Sequence, residues 1–148
     1  MSKPVIAIHG ATGFDDVPGL ATLRERGEFR FAPDGQALPG VLGGAEILLG
    51  WNFAAADLRD AWPAADQLKW IQWCGAGVDA ALFPALAQSD VLLTNMHGLF
   101  DQPMAEYTLA LILALAKDLP RTLASQSERR WDYRLNERIN GRKSWSSV

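Results

Sequence analysis

Apolar residues fall along this chain in short runs set apart by glycine, proline and polar breaks, and the runs alternate with stretches of helical spacing. The runs are Val5–His9, 29–32, 47–51, Trp70–Trp73 and 91–93. Each has the length of a buried strand and is built from branched, aromatic or leucine side chains. Between them, Leu20–Arg26, 38–43, 54–62 and a short stretch near 80–86 read as helices. Such alternation predicts an α/β fold with a parallel five-stranded sheet and helices on both faces. The strand order expected is the flavodoxin-like 2-1-3-4-5.

The fourth run leads directly into Gly75-Ala76-Gly77-Val78-Asp79. Two glycines at this spacing let the backbone turn sharply after a strand, so that consecutive N–H groups face outward toward a small anion. Ligands of open α/β sheets bind outside the carboxyl ends of the strands, where this loop lies. The plainer reading is a tight strand-to-helix turn with no ligand.

A second segment sharpens the choice. It runs from Val91 through Leu93-Thr94-Asn95 and Met104-Ala105-Glu106-Tyr107 into an apolar helix. Together the two segments resemble the substrate-binding half of the D-isomer-specific 2-hydroxyacid dehydrogenases, in particular the hydroxypyruvate/glyoxylate reductase and phosphoglycerate-dehydrogenase-like branch. The resemblance covers roughly residues 46 to 142. Two motifs at the right separation are more specific than either alone.

The resemblance implies a division into a flavodoxin-like substrate-binding domain, residues 1–120, and a helical extension, residues 121–148. It implies reversible hydride transfer between NAD(P)H and a small 2-oxo acid, with the amides of Ala76 and Gly77 holding the acid's carboxylate. Gly75 and Val78 shape the loop, Trp51 beside Asn52 lines the pocket mouth, and Met104 approaches the nicotinamide side. Relatives pass through an Asn-Gly-Lys-like junction into a dinucleotide-binding domain that carries their catalytic Arg, acidic residue and His. Ile139-Asn140-Gly141-Arg142-Lys143 matches that junction, whereas Ser144 to Val148 departs from it. No catalytic, cofactor-binding or metal-ligating residue is therefore assigned here. The expectation is a truncated chain, inactive alone, that takes a 2-oxo acid but no cofactor by itself. The alternative is a non-enzymatic binding or assembly module derived from the same domain.

Asp101, as a cap, and Pro103 are expected to open the long helix. Met104, Leu109, Ile112 and Leu113 cover one face while Leu111 and Leu115 cover others, so the helix needs cover on more than one side. Exposed apolar surface of this extent marks a partner. A homo-oligomer is expected, with the tail helix, residues 121–131, exchanged or packed between copies. The charge-rich stretch from Ser125 to Arg138 reads as a solvated helix followed by irregular chain.

Composition narrows the classes. The chain has 148 residues, enough for one domain, a net charge of −3 and 14 scattered basic residues, which argues against a nucleic-acid surface. One cysteine, Cys74, excludes an internal disulfide framework and suits a reducing cytoplasm. At a strand end it reads as a buried structural thiol. The amino terminus lacks the apolar region of a secretory signal, and the longest apolar stretch, residues 107–116, falls short of the roughly 20 residues a bilayer requires. No His/Cys/Asp cluster has metal-ligand spacing.

A rival site is Gly10-Ala11-Thr12-Gly13, which follows the first strand and resembles the pyrophosphate turn of short-chain dehydrogenases/reductases, with Asp34 where such folds place a ribose-binding acid. Against it stand the missing third glycine, the charges of Asp15 and Asp16, the late helix start after Pro18-Gly19 and the lack of a Tyr-x-x-x-Lys pair. Neither histidine has an identifiable orienting partner, so His9 is expected to be a hydrogen-bonded core residue and His97 a spectator bordering the pocket.

Overall fold

The structure, a computed structural model, describes residues 3–136 and 138–141. The divergent stretch 144–148 and the last two residues of the junction-like segment lie outside the described residues. The chain forms two compact units, Met1–Leu99 and Phe100–Val148, which divide ahead of the long helix.

The first unit holds five parallel strands: β1 (Val5–His9), β2 (Glu28–Ala32), β3 (Ile47–Gly50), β4 (Trp70–Trp73) and β5 (Leu92–Thr94). They lie in the order β2-β1-β3-β4-β5, as the alternating pattern predicts. Strand β3 stops at Gly50 because the N–H groups of Trp51 and Asn52 both turn back onto His9 O, at 3.0 and 3.1 Å.

Alternation along the strands sorts side chains onto two faces. Ala7, Leu48, Ile71 and Trp73 enter the larger core with α1 (Leu38–Leu42), α2 (Leu58–Ala61) and α3 (Pro84–Ala87). Ile8, Leu49, Phe29 and Phe31 belong to a smaller cluster completed by Val17 and Leu20. The expected helix at Leu20–Arg26 is a 3-10 helix. Gly19 O accepts both the N–H and the hydroxyl of Thr22, and these i to i+3 contacts tighten the coil. The expected helix 54–62 shortens to α2 plus the 3-10 turn Trp62–Ala64, where Pro63 has no N–H to continue the α ladder.

Within this unit the second face carries the 3-10 helix near β1 and β2, whereas Trp70 and Leu92, on β4 and β5, remain 38% and 59% exposed. Polar groups there satisfy one another. The Trp70 indole N–H donates to Thr94 Oγ1 at 2.8 Å, and the Thr94 hydroxyl lies 2.8 Å from Gln72 Oε1.

In the second unit, α4 (Asp101–Ala116) has no buried residue, and α5 (Leu119–Ser127) follows a left-handed residue, Asp118, with φ 47°. Asp101 is not the cap that its sequence position suggests. Phe100 stands there, and Asp101 lies in the first turn, where its charge favours the helix dipole. The tail helix ends at Ser127, short of the expected 131, because Arg129 adopts φ 53°. Its charges do more than solvate a surface. Asp132 gathers Arg121 Nε at 2.8 Å and Arg134 Nη1 at 3.5 Å, folding the tail against α5. No helix among the described residues is long and apolar enough to cross a membrane.

Candidate functional site

Four connections meet at the carboxyl ends of the strands. Strand β4 extends one residue past Trp73, where Cys74 N–H donates to Gly50 O at 3.0 Å. The chain then leaves the sheet through Gly75, which is buried, into Ala76 and Gly77, which are exposed, and returns through half-buried Val78. Two hydrogen bonds from the β5 connection fix this loop. Met96 N–H donates to Gly75 O at 3.0 Å, and Asn95 Nδ2 donates to Ala76 O at 2.6 Å. The other face of the loop is fixed by Val78 O, which accepts the N–H groups of Ala81 and Leu82.

While the carbonyls of Gly75, Ala76 and Val78 are engaged, the amides of Ala76 and Gly77 donate to no protein acceptor among the described residues. Unspent neighbouring N–H groups on an exposed loop are available to an outside acceptor. Asp79 opposes this: its Oδ2 lies 2.9 Å from where a Gly77 Cβ would stand, placing a negative charge beside the same loop.

The chain bends from Cys74 to Ala76, the sharp turn expected there. Neither Gly75 nor Gly77 has a positive φ. A Cβ on Gly75 would stand 3.1 Å from Phe53 Cβ, and one on Gly77 would press on Asp79. Gly75 also gives the connections after β3 and β4 room to pass closely, whereas Gly77 leaves space for the Asp79 carboxylate of its own loop.

Trp51 is half-buried and lines a groove of about 370 Å³ beside the loop, together with Leu20, Leu49, Cys74 and Met96. Sequence reasoning missed Asn95 as a clamp, and it missed the groove. Asn95 was visible within Leu93-Thr94-Asn95, but only the fold brings it to Ala76. Met104 belongs to the second unit, on α4, where it is 60% exposed. Burial pushes the Cys74 thiol above its ordinary value of 9.0, which keeps it protonated and unreactive at neutral pH.

The rival turn is already occupied by the chain itself. Asp16 Oδ2 accepts both the amide and the hydroxyl of Thr12, at 2.6 and 2.7 Å, taking the donors a pyrophosphate would use. Those bonds hold the Asp16 carboxyl below its ordinary value of 3.8. Gly10 has φ +88°, and its Cβ position lies 2.4 Å from Asn52 Cβ, so it serves a close crossing of connections. Asp34 Oδ1 accepts the amides of Gln36 and Ala37, both at 3.0 Å, ahead of α1. This turn does not fit a dinucleotide.

His9 is fully buried, yet it lacks the expected hydrogen bond. Its Nε2 lies 3.3 Å from Asp57 Oδ2 without hydrogen-bond geometry. His97 is exposed, and only its backbone N–H is engaged, on Asn95 Oδ1 at 3.3 Å. No group of three or more His, Cys, Asp or Glu side chains among the described residues is placed to hold a metal ion.

A parallel sheet of this order with flanking helices defines a flavodoxin-like α/β domain. No protein-family model matches the chain. Over 74 residues, half of its length, it is 32% identical to D-3-phosphoglycerate dehydrogenase of Methanocaldococcus jannaschii, covering 14% of that protein. Its fold matches a D-isomer specific 2-hydroxyacid dehydrogenase family protein from Aeromonas salmonicida with TM-score 0.74 and 24% identity, over 96% of this chain and 44% of that one. It also matches D-lactate dehydrogenase from Aquifex aeolicus, solved with NAD and lactic acid, with TM-score 0.73 and 18% identity, over 91% of this chain and 41% of that one. In fold and local sequence the chain resembles the substrate-binding domain of the D-isomer specific 2-hydroxyacid dehydrogenase family. It spans less than half the length of these solved structures.

Proposed function

We propose that residues 1–148 supply the substrate-binding part of an NAD(P)-dependent oxidoreductase acting on small 2-hydroxy and 2-oxo acids. The observation that carries the reading is the pair of unengaged amides at Ala76 and Gly77, on a loop whose carbonyls are tied down by Asn95 and Met96. The solved D-lactate dehydrogenase, with NAD and lactic acid, supports the class of ligand.

Preorganised N–H groups hold a carboxylate without moving, which fixes the 2-carbon for attack from one side. The nicotinamide supplies the hydride in such reactions. Since the Gly10 to Gly13 turn does not fit a dinucleotide, cofactor binding and proton transfer are assigned to sequence other than residues 1–148. This chain binds the acid in the cytoplasm and does not turn it over alone.

One observation favours a second role. Helix α4 exposes apolar side chains around its circumference, among them Leu109, Leu111, Ile112, Leu113 and Leu115. This supports self-association through α4 and the tail helix, and with it an assembly module that keeps the acid site. A monomer by light scattering at working concentration overturns that role.

The test of the main reading is an amide NMR titration with glyoxylate, followed by an NADH and NADPH oxidation assay on the same sample. Saturable shifts at Ala76 and Gly77 with no oxidation are expected. Absence of those shifts overturns the carboxylate loop, and turnover by the chain alone overturns the division of labour.

A further inference from the structure

The groove beside the carboxylate loop has no use in binding an acid as small as glyoxylate. Its walls come from Leu20 and Leu23 of the 3-10 helix, Leu49 and Trp51 at the end of β3, Cys74 after β4 and Met96 after β5. No residue lining it is charged. Its amide side chain, Gln72, is tied in place: Oε1 lies 2.8 Å from the Thr94 hydroxyl, and Nε2 donates to Trp73 O at 3.2 Å. The nearby guanidinium of Arg24 is stacked 4.6 Å from the Phe14 ring centroid and does not line the groove.

The groove and the loop are joined covalently and by hydrogen bonds. Cys74 immediately precedes Gly75, Met96 holds Gly75 O, and Trp51 belongs to the connection whose Phe53 lies against Gly75. Consecutive Cα atoms are about 3.8 Å apart, so the Ala76 Cα lies within about 8 Å of that of Cys74 in the groove wall.

Resting on the carboxylate reading of that loop, we infer that the acid bound here carries an apolar substituent, branched aliphatic or aromatic, that fills this groove. A phosphate or second carboxylate would enter without a counter-charge. Each methylene buried there raises affinity about fourfold.

The test is amide NMR titration of the full chain with glyoxylate, 4-methyl-2-oxopentanoate, 2-oxobutanedioate and 3-phenyl-2-oxopropanoate, repeated on Leu23→Lys. Leu23 is 48% exposed, so the substitution leaves the core intact. The branched and aromatic acids are expected to bind about tenfold or more tightly than glyoxylate, from methylene burial. They should perturb Leu49, Cys74 and Met96 as well as Ala76 and Gly77. Leu23→Lys should narrow that advantage and strengthen 2-oxobutanedioate. Equal affinities, or a preference for 2-oxobutanedioate by the unaltered chain, would overturn the inference and leave the carboxylate loop standing. If no acid shifts Ala76 or Gly77, the loop reading fails and the inference fails with it.

Discussion

Gly50 and Trp73 are register partners on adjacent strands, and a Cβ on Gly50 would stand 2.2 Å from Trp73 Cε3. The indole lies across the position a side chain would occupy, just below the carboxyl ends of β3 and β4. Gly50→Ala is expected to lower stability by about 3 kcal/mol, because Trp73 is fully buried and cannot move aside. Gly40→Ala, exposed in α1 with nothing within 4 Å of the new Cβ, should raise it by about 0.5 to 1 kcal/mol. Urea unfolding of the two variants checks the contrast.

Asn95→Ala removes the donor on Ala76 O and frees the loop to reorient. Acid binding should weaken about tenfold, with stability falling by about 1 kcal/mol. Asn95→Asp should not rescue it, since a carboxylate cannot donate to a carbonyl. Calorimetric or NMR titration with a 2-oxo acid separates the variants, and unchanged affinity in both would remove Asn95 from the site.

Asp79 works against the anion that the loop is proposed to hold. Two charges a few ångströms apart in water interact by about 1 kcal/mol, so Asp79→Asn should tighten acid binding about fivefold at low salt. The gain should shrink as salt screens the pair. A series of dissociation constants against ionic strength tests both parts.

The Thr12 amide should report the titration of Asp16. Because the folded carboxyl is held below its ordinary 3.8, the contact is fully present above that pH. It is lost as pH falls through the lowered folded value. An NMR midpoint for Thr12 at or above 3.8 would contradict the contact.

Cys74 should resist alkylation at pH 7 to about 8, reacting far more slowly than an unfolded thiol, because the thiolate is the nucleophile and burial disfavours it. Reaction as fast as in denaturant would show that the strand end opens.

The strands were legible because local composition decides them: Val5 to His9 and Trp70 to Trp73 carry branched or aromatic side chains at strand length. The helices were less so. Pro63 and the doubly engaged Gly19 carbonyl convert parts of expected α-helix to 3-10 geometry. Within the site, Gly75 and Gly77 stood out, but the close approach of Phe53 to Gly75 did not, since it arises from a crossing of connections distant in sequence. The same holds for Asn95 and for the groove, whose walls come from four separate connections. The branching of charge at Asp132, with Arg121 and Arg134 converging from different turns, was likewise hidden behind a pattern of alternating signs.

The loop from Gly75 to Val78 is held at its carbonyls and offers its amides, so most of what it does is done by main-chain atoms. Evolutionary drift acts on side chains. A site written in the backbone, as the proposed one is, tolerates replacement at exposed Ala76 provided the crossing at Gly75 stays clear.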